Sequence, residues 1–318
     1  MYNVVVLKGG DSPEREVSLI SGREIAQQLS NDGHQVHELD PQEFGDMSHV
    51  IEKVKALGTD IVFIGLHGGI GENGELQAAL NLAGVPFTGS KHKACAITMD
   101  KYVSKLIAAE EGIPVPKSVL MREDLLRDYQ DSMDYSNIVD KLGLPLVVKP
   151  NDAGSSVGIS IVKGISELKP AVEAAFQYSN SILIEEYIEG RELTVTILDG
   201  TAMSVVEITP TEGWYDYHNK YTKGKTIYDA PAKLDEADTQ LLKVYAERIW
   251  KATECRGYAR IDFRFNGEKH YFLEVNTLPG MTPLSLTPMA AKAAGMSFGE
   301  LLSAIITIAM RNQMMEEQ

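Results

Sequence analysis

MYNVVVLKGGDSPEREVSLISGREIAQQLSNDG (residues 1–33) opens with VVVL (4–7), a short apolar run rich in β-branched residues, followed by a Gly-Gly turn. Beyond the turn, Val17, Ile20, Ile25 and Leu29 roughly keep helical spacing until Asn31-Asp32-Gly33 stops the helix. A second run of the same kind, IVFIGL (61–66), follows. Uninterrupted apolar runs are what strands covered on both faces need, and helices between them supply the covers. Residues 1–96 are therefore expected to form an N-terminal doubly wound parallel-sheet domain. The division is placed near Ser90–Thr98, before a helix carrying Lys101, Val103 and Leu106.

Downstream the pattern is more mixed, α+β in its last part. VPKSVLM (115–121), LPLVVKP (144–150), ISIV (159–162) and SILIEEYI (181–188) read as strands, with a Gly/Ser-rich loop NDAGSSVG (151–158) and a helix from about Ser166 among them. After these come strands ELTVTIL (192–198) and VVEITP (205–210), a loop rich in Gly, Tyr and Lys (211–232), a helix (235–254), and two adjacent strands, YARIDFRF (258–265) and HYFLEVN (270–276). The expected units are 97–184 and 185–318. The tail MMEEQ is expected to fray.

The chain has 318 residues, 30 basic against 45 acidic side chains and a net charge of -15. That balance argues against a broad nucleic-acid footprint, which needs clustered positive charge, but not against a small anionic ligand held by a few lysines. No apolar run reaches the roughly 20 residues that span a bilayer, and the N-terminus lacks the features of a signal peptide. Cys95 and Cys255 have no metal-ligand spacing and read as idle buried thiols of a cytoplasmic protein.

Chemistry concentrates on the last two strands. Asp262, Glu274 and Asn276 are oxygen donors on neighbouring strands, and Glu274 and Asn276 share a face through the period of two. Such donors suit Mg²⁺, which bridges to substrate phosphates. Arg260 projects from the face of Asp262, where a guanidinium stabilises developing negative charge. A solvated polar face with chance ion pairs is the alternative. Lys149 stands at a strand end before NDAGSSVG, whose glycines and serines can approach an anion, or merely form a hairpin. Glu14, Arg15 and Glu16 lie at the end of a parallel strand, the rim where open α/β sheets bind ligands. Nothing in the spacing selects among them, and helix capping is the plainer role. His67, in LHGGIGENGELQ (66–77), lies on the same rim, as ligand contact or structural partner. YDYHNKYTKG (215–224) lies in a loop long enough to be a lid.

Together and in this order, GGDSPEREVSLISG, LHGGIGENGELQ, MDKYVSK, VVKPNDAGSSVG, YDYHNKY, ARIDFRF and EVNTLPGMTPLS resemble the blocks of the D-alanine–D-alanine ligases, members of the ATP-grasp superfamily. The resemblance runs over nearly the whole chain. It implies a three-domain ATP-grasp fold with ATP between two sheets, two Mg²⁺ (or Mn²⁺) ions, and an acyl-phosphate route to D-alanyl-D-alanine for peptidoglycan precursors. By similarity Glu14 holds the first D-alanine's ammonium in a set with Ser155 and Tyr221. His67 lies near that substrate's carboxylate and Ser285 holds the carboxylate of the second. Arg260 and the Gly280 N–H form the oxyanion hole. Asp262, Glu274 and Asn276 match the metal set, Lys101, Lys149 and Lys220 the phosphate contacts, Glu192 the ribose contact and Glu185 the adenine contact. Tyr221 matches the dipeptide-forming type rather than the D-lactate type. A cytoplasmic homodimer is also implied.

Overall fold

The computed structural model describes residues 1–126, 134–154, 157–211 and 224–316. Three sheets organise them. The first has order β2-β1-β3, with β1 (Asn3–Leu7), β2 (Gln35–Leu39) and β3 (Ile61–Ile64) all parallel. Val4, Val5 and Val6 are fully buried, as a strand covered on both faces requires. The Arg15–Asn31 helix lays Ser18, Ser21, Ile25, Ala26 and Leu29 against this sheet, spaced three and four apart. Ser18 Oγ accepts the Gly9 N–H at 2.8 Å and donates to Gly65 O at 2.8 Å, tying the ends of β1 and β3 to that helix.

The second sheet has order β4-β7-β5-β6, with β4 (Ser118–Arg122), β5 (Leu146–Pro150), β6 (Ser160–Val162) and β7 (Ser181–Glu186), all antiparallel. Leu168, Ala171, Val172 and Ala175 of the Ile165–Ala175 helix close its apolar face. The third sheet has order β10-β9-β8-β11-β12, with β8 (Arg191–Leu198), β9 (Thr201–Pro210), β10 (Thr226–Asp229), β11 (Tyr258–Phe265) and β12 (His270–Asn276). On one of its faces Leu193, Val195, Ile261 and Phe263 pack under Leu242, Ala246 and Ile249 of the Glu236–Ala252 helix. The alternation that buries those residues turns Glu192, Thr194, Arg260 and Asp262 to the opposite face. That polar face looks toward the second sheet.

Several features were not anticipated from the sequence. The expected boundary, Ser90–Thr98, falls largely within the His92–Met99 helix, and β10 lies inside the expected loop 211–232. The final helix runs from Phe298 to Glu316, so the described part of the tail is helical rather than frayed, with Met314 and Met315 exposed. Leu301, Leu302 and Ile305 of that helix join the core under β1 and β3. The end of the chain thus returns to the first sheet.

Candidate active site

Antiparallel pairing sets Asp262 opposite Glu274 and Arg260 opposite Asn276, so four polar side chains singled out from the sequence form a quadrilateral on one face. Arg260 grips Asp262 in two parallel bonds, Nε to Oδ1 at 2.9 Å and an Nη to Oδ2 at 2.8 Å. Asn276 Nδ2 donates to Asp262 Oδ2 at 3.0 Å, and Thr194 Oγ1 on β8 donates to Oδ1 at 2.6 Å. The strict alternation that puts Phe272 in the core would bury Glu274 as well. The register between β11 and β12 instead shifts between Asp262 and Phe263, leaving Leu273 as an extra residue on β12. Leu273 and Glu274 therefore both face outward, and both line the cavity between the second and third sheets.

That cavity is also lined by Lys101, Lys149, Glu185, Glu192 and Asp262, five more of the residues singled out from the sequence. Its apolar part comes from Val147, Ile159, Ile161 and Leu273. At its floor Glu185, 2% exposed, lies between two ammonium groups, with Lys149 Nζ 2.7 Å from Oε2 and Lys105 Nζ 2.9 Å from Oε1. The contact of Oε1 with Lys105 is an ion pair rather than an aligned hydrogen bond. Burial works to raise the Glu185 carboxyl, and the two lysines overcome it and hold it below the ordinary range. Burial pulls the Lys105 ammonium down to about 8 despite Glu185 beside it. Glu192 lies 3.6 Å from Arg264, whose guanidinium also stands over the Tyr187 ring.

Lys101 links the cavity to the glycine loop. Its Nζ donates to Ala153 O at 2.7 Å and lies 3.3 Å from Glu274 Oε2. The next residue, Gly154, meets the N-terminal rim: a Cβ there would stand 2.7 Å from Glu14 Oε2, and so would one on Gly68, whose φ is +66°. Two bare glycine backbones flank the Glu14 carboxylate. Glu14 occupies the N-cap position of the Arg15–Asn31 helix, but its side chain makes no cap bond. Arg15 turns away to Asp40, at 2.6 Å, and Glu16 is exposed. Of the three rim residues left open by the sequence, Glu14 is the one that faces the glycine loop.

His67, 5% exposed, has protein partners on both ring nitrogens, Leu278 O at 2.9 Å and Ser21 Oγ at 2.9 Å. Burial lowers its pKa, favouring the neutral ring. Glu72 accepts the N–H groups of Gly68 at 2.8 Å and Leu278 at 3.2 Å. Desolvation and the neighbouring Glu14 charge push its carboxyl up to about 7. Ser285 Oγ accepts the Thr282 N–H at 3.0 Å and sits where a Cβ on Gly280 would meet it at 2.8 Å. Ser155, Lys220 and Tyr221 lie outside the described residues. Cys95 and Cys255 are free and buried, and burial raises the Cys95 thiol to about 12, which makes it inert.

The sequence reading passed over Lys105, Glu72 and Ser21. Lys105 is one helical turn from Lys101, a spacing that puts both on one face. Glu72 lies inside a quoted glycine-rich block. Ser21 is a polar residue on the buried stripe of a helix, and that mismatch was its signal.

Family models match at both ends, one described as D-ala D-ala ligase N-terminus over residues 37–90 and one as D-ala D-ala ligase C-terminus over residues 107–307. The chain is 41% identical over 308 residues to the D-alanine–D-alanine ligase of Syntrophotalea carbinolica, covering 95% of this chain and 94% of that one. Among solved structures, a D-alanine–D-alanine ligase from Bacillus anthracis superposes with a TM-score of 0.87 at 34% identity, covering 99% of this chain and 100% of that one. The B. anthracis ligase complexed with ATP gives a TM-score of 0.83 at 31% identity, covering 100% of this chain and 99% of that one.

Proposed function

Because the chain belongs to the D-alanine–D-alanine ligase family, we propose that it joins two D-alanine molecules with cleavage of ATP to ADP and phosphate, supplying a dipeptide for peptidoglycan precursors. A carboxylate is a poor acyl donor, so one D-alanine carboxylate oxygen first attacks the γ-phosphorus. The bond to ADP breaks, and an acyl phosphate forms. The amine of the second D-alanine, once it has lost a proton, adds to the acyl carbon. The tetrahedral intermediate collapses by expelling phosphate.

The observation that supports this most is one cavity lined by the ammonium groups of Lys101 and Lys149, the carboxylates of Asp262 and Glu274, and an apolar wall of Val147, Ile161 and Leu273. Triphosphate charge meets the lysines, and a purine ring suits the apolar wall. Glu185 Oε1, short of an aligned donor, would take the adenine amino group. Glu192 would take the ribose and Lys220 a phosphate. Phosphoryl transfer needs mainly positioning and charge stabilisation, which this arrangement supplies.

Asp262, Glu274 and Asn276 fit a hard cation. All offer oxygen, and with its Nδ2 turned to Asp262 Asn276 keeps its carbonyl oxygen for a ligand. They would hold two Mg²⁺ or Mn²⁺ ions, which neutralise the transferring phosphoryl group when bound. Arg260 and the Gly280 N–H would bind the oxyanion of the tetrahedral intermediate. Glu14, with Ser155 and Tyr221, would hold the first ammonium and order the loops over it. His67 would stand near the first substrate's carboxylate and Ser285 would bind that of the second.

On this reading residues 1–96 carry the first-substrate rim, and 97–184 and 185–318 enclose the nucleotide. A cytoplasmic homodimer completes the proposal. No single helix among the described residues is long and apolar enough to cross a membrane. The test is incubation with ATP, Mg²⁺ and D-alanine, alone and with D-serine or D-lactate, and identification of products by mass. D-alanyl-D-alanine should predominate. No phosphate release with D-alanine would overturn the ligase reading, and a predominant ester would overturn the amine acceptor.

A further inference from the structure

The segment Thr277–Met281, which presents the Gly280 N–H, is tied to the N-terminal unit by three side chains flanking that amide. Glu72 Oε1 accepts the Leu278 N–H at 3.2 Å, and His67 Nδ1 meets Leu278 O at 2.9 Å. On the other side of Gly280, the Met281 N–H reaches Ser21 Oγ at a long 3.4 Å. Ser21 Oγ is in turn 2.9 Å from His67 Nε2. The protons in this set follow from the partners. A carbonyl oxygen can only accept, so His67 Nδ1 carries the hydrogen. In the neutral ring Nε2 is then an acceptor, and the Ser21 hydroxyl must donate to it. That leaves the Ser21 lone pairs for the Met281 N–H. The circuit runs from Met281 through Ser21 and His67 back to Leu278, with each donor matched to an acceptor.

We propose that Ser21, His67 and Glu72 form a brace that holds the Gly280 amide in register with the acyl carbon, with Ser21 as its central positioning residue. Ser21 is fully buried and has no route to substrate. His67 can turn a ring nitrogen to a ligand only by releasing Ser21 or Leu278. The brace spans separate parts of the chain, since Ser21 belongs to the Arg15–Asn31 helix, His67 and Glu72 to the segment after β3, and Gly280 to the segment after β12. It therefore also fixes where the first-substrate rim stands relative to the polar face of the third sheet. The first chemical step makes no use of an oxyanion donor at the acyl carbon. The second step does, so loosening the brace slows the second step selectively. This inference rests on the reading of Gly280 and Arg260 as oxyanion donors.

The experiment compares full-length wild type, Ser21→Ala, Ser21→Cys and Arg260→Met with Mg²⁺, ATP and D-alanine. Acyl-phosphate formation is read as scrambling of ¹⁸O between the β–γ bridge and the β non-bridging positions of ATP. Dipeptide formation gives kcat and KM, and thermal melting reports folding. Ser21→Ala should lose about 10- to 100-fold in dipeptide turnover, the scale of a displaced catalytic group. Isotope scrambling and the KM for ATP should be retained. Ser21→Cys keeps a group that both donates and accepts weakly, and should recover part of the rate. If Ser21→Ala is insoluble, the Cys variant carries the same comparison. Unchanged dipeptide turnover, or parallel loss of both steps, overturns the brace. Full turnover by Arg260→Met removes the oxyanion reading itself, and with it the purpose of the brace, whatever Ser21→Ala does.

Discussion

Between β11 and β12 the candidate groups come from two hydrogen-bonded strands of one sheet, whereas around Glu14 they come from separate segments that meet only when the units pack. The strand pair is dense in charge. Arg260, Asp262 and Asn276 hold one another at 2.8 to 3.0 Å, and their spacing is inherited from the ladder. The rim has no such ladder. Its order depends on a neutral histidine, a buried hydroxyl and bare glycine backbone beside a carboxylate. The difference implies that substitutions in the strand pair remove charge stabilisation outright, while substitutions at the rim change placement. The first kind should act on turnover broadly, the second on one substrate or one step.

The largest effect should come from Asp262→Ala, which removes a carboxylate held by Arg260, Asn276 and Thr194 and exposes their donors to one another. Turnover should fall by about 10³-fold or more, the scale of several kcal/mol of transition-state charge stabilisation. Activity titrated against Mg²⁺ should demand far more metal. Arg260→Ala should follow at about 10²- to 10³-fold in kcat, as for one oxyanion donor, with the steady-state KM for ATP close to wild type. Behind the cavity floor, where Lys105 pairs with Glu185, Lys105→Met should weaken ATP by about tenfold, or roughly 1.4 kcal/mol, measured by calorimetry. Here pH gives a sharper reading. Wild-type Lys105 is protonated below about 8 and neutral above it, so the Glu185 carboxylate loses one of its two counter-charges as pH rises. ATP affinity should therefore drop through that pH in the wild type, and the step should vanish in the variant.

Gly154→Ala should have the smallest effect. The added methyl meets the end of the Glu14 side chain, which can swing aside, so the melting temperature should barely move. The KM for D-alanine should rise roughly 3- to 10-fold with kcat nearly kept, the signature of lost uniform binding. A Gly154→Ala loss as deep as that of Asp262→Ala would erase the distinction between strand pair and rim.

How much was legible in the sequence follows the same division. RIDFRF and FLEVN exposed the shared faces of Arg260 with Asp262 and of Glu274 with Asn276, because period-two alternation is local. VVVL and IVFIGL gave away the parallel sheet because strands covered on both faces lack polar interruptions. Lys105 and Ser21 were passed over because their partners, Glu185 and His67, are 80 and 46 residues away, and no spacing rule reaches that far. Spacing alone does not separate Glu14 from Arg15 and Glu16; the family resemblance selects Glu14, and in the fold Asp40 claims the arginine. The His92–Met99 helix was missed where a boundary was sought, since its run HKACAITM alternates too weakly to announce a face.

The shift beside Leu273 makes chain length itself a functional variable in β12. Replacing Leu273 by another apolar side chain would reshape the wall of the cavity between the second and third sheets and leave the carboxylate of Glu274 pointing where it does. Deleting it would leave that carboxylate in phase and strip the wall. Inserting a further residue beside it would, by the same period of two, also keep that carboxylate on the polar face, but would slide it along the ladder from Asp262 to Arg260. Evolution can therefore tune this strand by substitution, whereas a deletion strips the wall and an insertion displaces the carboxylate.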